Sequence, residues 1–148
     1  MSGADLTRLA ADFVDAFNRA DWPRFQAMMA PDVVYQETGT LRRVQGDARY
    51  VELCQGWKQA LPDVTGTIER SLAEGSTVAQ ELTWQGTHTG PLPGPGGTLP
   101  ATGKVVQVQA SFWLTSQGGR VTEAHHHLDV LSLLQQLGAL PSPEPAAG

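Results

Sequence analysis

Val121-Thr-Glu-Ala-His-His-His-Leu-Asp129, followed at once by Val130-Leu-Ser-Leu-Leu-Gln-Gln-Leu-Gly138, is the stretch on which the reading of this chain turns. The first run reads as a strand and the second as a short helix, so a carboxylate stands at their junction. Strand alternation puts Glu123, His125, His127 and Asp129 on one face, with Thr122, Ala124, His126, Leu128 and Val130 on the other. If Asp129 faces a pocket, His125 and His127 face it too. A carboxylate at a strand end facing a pocket is a natural general base. The competing role for Asp129 is the N-cap of the helix starting at Val130, for which Asp is also well suited.

Upstream of this stretch the order of elements is helices first, then strands. Leu6, Leu9, Ala10, Phe13 and Phe17 recur at helical spacing over residues 4 to 20. A shorter helix follows, with Asp21 as cap, Pro23 in its first turn and Pro31 as its stop. A short strand is expected over Val33-Val-Tyr-Gln-Glu37. Asp47 is a candidate cap for a third helix running to about Leu61, with Tyr50, Cys54, Trp57 and Leu61 as its inward stripe. From Val64 the period changes to two, predicting strands near 64–72, 77–88, 104–115 and 120–129. Such an order means an α+β fold with a mostly antiparallel sheet. The segment Gly90–Pro100 is too rich in Pro and Gly to predict regular structure, and serves either as a pocket rim or as a plain connection.

A length of 148 residues fits one domain, taken as residues 1–140, with a tail over 141–148 that has nothing to bury and is expected to be disordered. The composition, 41% hydrophobic and 17% charged, is that of a globular protein, and no apolar run is long enough to span a bilayer. No secretory signal is visible at the N-terminus, so a cytoplasmic location is expected. The net charge of −5 and the scattered Lys and Arg argue against nucleic acid as a partner. Cys54 is the single cysteine, which excludes an internal disulfide and a multi-cysteine metal site.

Together with Gly86-Thr-His-Thr-Gly-Pro-Leu92 and Ala101-Thr-Gly-Lys104, the Asp129 segment resembles the signature of the SnoaL-like polyketide cyclases. The resemblance is strongest over residues 78 to 138. It implies the cone-shaped α+β fold of nuclear transport factor 2, with N-terminal helices packed on a curved sheet. It also implies an intramolecular aldol condensation of an enolisable, polyketide-derived substrate, with Asp129 as general base and no metal or organic cofactor. His127, His125 and His88 would be its hydrogen-bonding or acid partners. The chain departs from the family at His125 and His127, where larger aromatic side chains are usual. A homodimer or higher homo-oligomer is the expected assembly, and a small apolar or aromatic molecule the expected ligand.

Several residues carry two readings. His88 could polarise a substrate carbonyl or fix its own turn. Gln80 lies in the apolar set Val78, Gln80, Leu82, Trp84, Gly86, either orienting a ligand or sitting as a satisfied core amide. Gln107 and Gln109 form either a polar substrate platform or part of an outer dimer surface. Tyr35, Trp57, Trp84 and Trp113 are core residues or aromatic cavity walls. Tyr35-Gln-Glu-Thr-Gly39 resembles the segment that supplies the carboxylate of ketosteroid isomerases, which makes Glu37 a second candidate acid or base; Phe13, at the position matched to the isomerase phenol, has no hydroxyl. His125 and His127 share a face, but nothing in the spacing requires a third ligand, so no metal site is expected. The same residues would serve a dehydratase, an isomerase or an epoxide-opening hydrolase, and a non-catalytic pocket protein or accessory subunit is the alternative outside enzymes.

Overall fold

In the computed structural model, which describes residues 1–94 and 96–140, the elements run α1 (Gly3–Asn18), α2 (Trp22–Ala27), β1 (Met29–Thr38), β2 (Arg42–Gln45), α3 (Asp47–Ala60), β3 (Thr65–Glu74), β4 (Thr77–Thr87), β5 (Leu92–Gly94), β6 (Gly97–Leu99), β7 (Val105–Gln117), β8 (Arg120–Leu128) and α4 (Val130–Gln136). Six strands form one sheet in the order β2-β1-β8-β7-β4-β3. All neighbours are antiparallel except β1 and β8, which run parallel. The helices cover one face, as the α+β order predicts. The tail expected to be disordered lies outside the described residues.

α1 begins with a capping box, Ser2 accepting from the Asp5 amide while Asp5 accepts from the Ser2 amide. Leu6, Ala10, Phe13 and Phe17 are buried on its inner stripe, with Leu9 at the margin. Phe13 stacks on Phe25 of α2 at 4.4 Å and on Phe112 of β7 at 6.3 Å, so one ring ties two helices to the sheet. Truncating such a ring costs about 3–5 kcal/mol in a packed core. Asn18 then locks the helix end to β3, donating to the Gly66 carbonyl at 3.0 Å and accepting from its amide at 2.8 Å.

Four local expectations need correction. β1 starts at Met29 rather than Val33, because Met29 pairs with Val121, and Pro31 lies inside the strand instead of ending α2. The cap of α3 is Gly46, at φ +102°, whereas Asp47 is already helical and accepts from Gln26 and its neighbour Ala48. β2 pairs along β1 and adds an edge strand to the predicted set. The Pro/Gly segment holds a small hairpin, β5 against β6, since its alternating Leu92, Pro93, Gly94 and Gly97, Thr98, Leu99 can pair outside the main sheet.

The inner sheet face carries Val106, Val108, Ala110, Phe112 and Leu114 of β7 and Val78, Gln80 and Leu82 of β4, all buried. Gln107 and Gln109 point to the exposed outer face with half-exposed Trp113. They are therefore no part of a substrate platform inside the cone.

Candidate functional site

Between the helices and the inner sheet face lies a cavity with about 750 Å³ of atom-free space, counted with its open mouth. Phe13, Phe17, Tyr50, Trp57, Val108 and Leu133 are among its walls, and its lining is almost wholly apolar. Such a concave apolar space with a few convergent polar groups is the usual form of a small-molecule site. Here the polar groups are Tyr35 of β1, Trp84 of β4 and His126 of β8, with Tyr50 of α3.

These side chains meet because their strands are neighbours or near neighbours in the sheet and because β8 carries an irregularity. Val121 is fully buried, so strict alternation would send His125 and His127 inward. The pairing of β7 with β8 shifts between Thr115 and Ser116, where Ser116 opposes Val121 and Thr115 opposes Glu123. That extra residue reverses the parity, and Ala124 and His126 become the buried residues. His126 lines the cavity together with Leu128.

His126 is held at both ring nitrogens. The Trp84 indole N–H donates to Nε2 at 3.1 Å, which leaves the imidazole proton on Nδ1. Nδ1–H then donates to the Tyr35 hydroxyl at 2.9 Å, and that hydroxyl donates to Glu37 Oε2. Every donor in the chain finds an acceptor only if His126 is neutral. Burial, with added repulsion from His127 and Arg42, holds its pKa down to about 4 although Glu37 pulls it upward. Burial and the nearby Glu37 push the Tyr35 phenol well above its usual range, so it stays protonated.

Glu37 lies behind Tyr35, its side chain sealed from solvent and outside the cavity lining. It accepts from Thr40 at 2.7 Å and from Arg42 at 3.1 to 3.3 Å, while Arg42 also lies over the Trp57 ring at 5.5 Å. A buried carboxyl group needs such hydrogen-bond partners to offset its desolvation. Trp84 is positioned by β3: a side chain at Gly66 would place its Cβ 2.5 Å from the Trp84 ring. Gly66 thus lets the indole lie flat enough to reach His126.

The remaining expected site residues lie elsewhere. Asp129 follows the end of β8, is exposed, and caps α4 by accepting from the Ser132 amide at 3.1 Å. His127 is exposed and His125 half-buried on the outer face; their rings lie 4.3 Å apart, and His125 contacts the Thr38 hydroxyl at 3.1 Å. The expectation that Asp129, His125 and His127 face the cavity is therefore corrected, by the strand irregularity and by Asp129 leaving the strand. His88 is fully buried but away from the cavity wall, where Nδ1 accepts from the Thr102 amide at 3.2 Å and meets its hydroxyl at 3.0 Å. Gln80 is buried without a hydrogen-bond partner and does not line the cavity. Tyr35, Trp57 and Trp84 are cavity walls, as one of their two readings has it. Among the described residues no group of three or more His, Cys, Asp or Glu side chains is placed to hold a metal ion, and no helix is long and apolar enough to cross a membrane.

A cone of helices on a curved sheet, with its pocket inside, defines the nuclear transport factor 2-like class. Residues 7–137 match the profile of the SnoaL-like polyketide cyclases, and the chain belongs to that family. Among solved structures it is similar to AclR from Streptomyces galilaeus, a candidate hydroxylase, at 29% identity and a TM-score of 0.83 over 97% of this chain and 87% of AclR. It is also similar to IdmH from Streptomyces antibioticus, a candidate polyketide cyclase, at 24% identity and a TM-score of 0.76 over 90% and 98% of the two chains. An LEH-like epoxide hydrolase from M. tuberculosis aligns at 20% identity and a TM-score of 0.72 over 93% and 92%. The last two likenesses are of fold alone. No curated protein matches the chain.

Proposed function

We propose that this protein is a cyclase-type acid–base enzyme that closes a ring in a flat, carbonyl-bearing, polyketide-derived substrate, with His126 rather than Asp129 as its base. The observation that carries this reading is the neutral imidazole in the wall of an apolar cavity, chained through Tyr35 to a buried carboxylate. A neutral imidazole has a free electron pair once its donor neighbour gives way. Ligand entry would draw the Trp84 N–H off Nε2, exposing that pair to an acidic C–H between two carbonyls.

The step then balances without an added reagent. The proton passes from carbon to His126 Nε2, the electron pair left behind attacks a further carbonyl elsewhere in the same molecule to form the C–C bond of the ring, and the resulting alkoxide takes the proton back. The imidazolium formed in between stands with Nδ1 4.0 Å from Glu37 Oε2, so the carboxylate stabilises the charge when it appears. Tyr35 and Arg42 are positioning residues, fixing the tautomer of His126 and the place of Glu37.

The test is deuterium uptake at the acidic carbon of an aromatic β-keto ester, followed by NMR with wild type, His126→Gln and Asp129→Asn. Exchange catalysed by wild type and Asp129→Asn but reduced about a hundredfold or more in His126→Gln is the expected result. Exchange that survives in His126→Gln and disappears in Asp129→Asn would return the base to Asp129 and sink this assignment.

A further inference from the structure

Of the polar groups on the cavity wall, three are already committed to one another. The Trp84 N–H, both His126 nitrogens and the Tyr35 hydroxyl form one closed chain. Tyr50 is different. It lines the same cavity, with its ring 4.6 Å from Tyr35 and 5.5 Å from Phe25, and the residue as a whole is buried. Its hydroxyl has no hydrogen-bond partner among the described residues. Nor is that oxygen one of the sealed, unpartnered side-chain atoms, which among the described residues are those of Gln80 and His88. A phenol oxygen that has no partner and is not sealed opens onto the cavity space.

Burial and the neighbouring Cys54 and Glu37 push the Tyr50 phenol well above its usual range, so it keeps its proton and has it to donate to a ligand oxygen. An unfilled donor in an apolar wall discriminates strongly. A ligand with an acceptor oxygen there satisfies it, while a hydrocarbon of the same shape leaves it bare. We propose that the Tyr50 hydroxyl is the ligand-positioning donor of the cavity, selecting planar apolar ligands with a carbonyl oxygen at that point over equally shaped ligands without one. The inference rests on the cavity being the ligand site, as in the function proposed above, but not on which residue is the base.

The experiment compares α-tetralone with tetralin, two bicyclic ligands that differ by the carbonyl oxygen, using quenching of the tryptophan fluorescence of the full chain, to which Trp57 and Trp84 in the cavity wall contribute. Wild type should bind α-tetralone roughly tenfold more tightly, the size of one hydrogen bond. Tyr50→Phe should lose that preference while holding tetralin within about twofold of wild type. A purely structural role for Tyr50 would change both affinities together. The variant should fold, because the hydroxyl it loses has no protein partner, and its thermal transition checks this. A tenfold preference retained in Tyr50→Phe would overturn the proposal and leave the cavity reading standing. Absence of binding by either ligand to wild type would overturn both.

Discussion

His126 and Asp129 stand three residues apart, and the chain sends them into opposite surroundings. His126 is enclosed by Trp84, Tyr35 and Phe112, neutral, with each nitrogen bonded. Asp129 sits in solvent beyond the strand end, occupied with the first turn of α4. Asp129 is open to water and held by its capping bond, whereas His126 is desolvated in the cavity wall with Glu37 Oε2 4.0 Å from its Nδ1. By chemical type the imidazole is the stronger base of the two; burial holds His126 down to about 4, and its place in the cavity wall with Glu37 behind it is what favours it over Asp129.

The largest expected effect breaks the His126 side of this contrast. In the exchange assay His126→Gln should lower the rate about a hundredfold or more, and Glu37→Gln about tenfold, since the latter removes only the charge that answers the imidazolium. Single-turnover rates, with folding checked by circular dichroism, would measure both. Equal losses for Glu37→Gln and Asp129→Asn would mean that the buried carboxylate has no special part.

The next effect is on stability against pH. His126 has a folded pKa of about 4 against an ordinary 6.5, so between those values the unfolded chain takes up a proton that the folded chain refuses. The neutral His126 contribution is intact above pH 6.5 and lost as pH falls toward 4. Between pH 7 and 4.5 that amounts to about 2–3 kcal/mol. Urea unfolding of wild type and His126→Gln at both pH values isolates it, because the carboxylates that also titrate are common to the two proteins. Parallel losses in the two proteins would show that His126 is not held neutral.

Much of this architecture was legible from spacing. The stripes of α1 and α3 and the inner row of β4 follow directly from periods of 3.6 and 2, because burial of one face is what those periods record, whereas the period of β7 leaves open which of its two rows faces inward. The site was legible in its parts and not in its assembly. Tyr35, Trp57, Trp84 and Glu37 could be named as candidates, yet the pairing of Glu37 with Arg42 depends on an edge strand of four residues. Placing Asp129 inward sets the parity of the strand so that His126 falls on the outer row. Its own row, Ala124, His126 and Leu128, is the more apolar of the two, and that signal was available in the sequence. What no pattern could show was the irregularity near Thr115, which reverses parity after Val121. His88 likewise kept both readings until the structure placed Thr102 against it.

Gln80 sharpens the comparison from inside the core. Unlike His126, it is a buried polar side chain with both amide atoms unpartnered, so the fold bears its desolvation without return. Gln80→Leu, close in volume, should stabilise the protein by about 1–3 kcal/mol in urea unfolding. His126→Gln, which disturbs a satisfied chain, should not stabilise it. A loss of stability in Gln80→Leu would mean that the amide has found a partner such as a bound water.

The smallest effect belongs to Asp129. Replacing it by Ala removes one bond to the first turn of α4, worth about 0.5–2 kcal/mol. The helix stays docked through Gln136, whose amide accepts from the Gln107 N–H at 2.8 Å and donates to its carbonyl at 2.9 Å, and through Leu133 in the cavity wall. Exchange activity in Asp129→Ala should therefore remain within about threefold of wild type. Asp129→Ser, which can still cap, should recover most of the stability. Rescue by Ser of stability and activity together would assign Asp129 to the cap. An activity loss as deep as that of His126→Gln, unrepaired by Ser, would instead require α4 to move and carry the carboxylate inward, and the contrast between the two residues would then describe only the ligand-free protein.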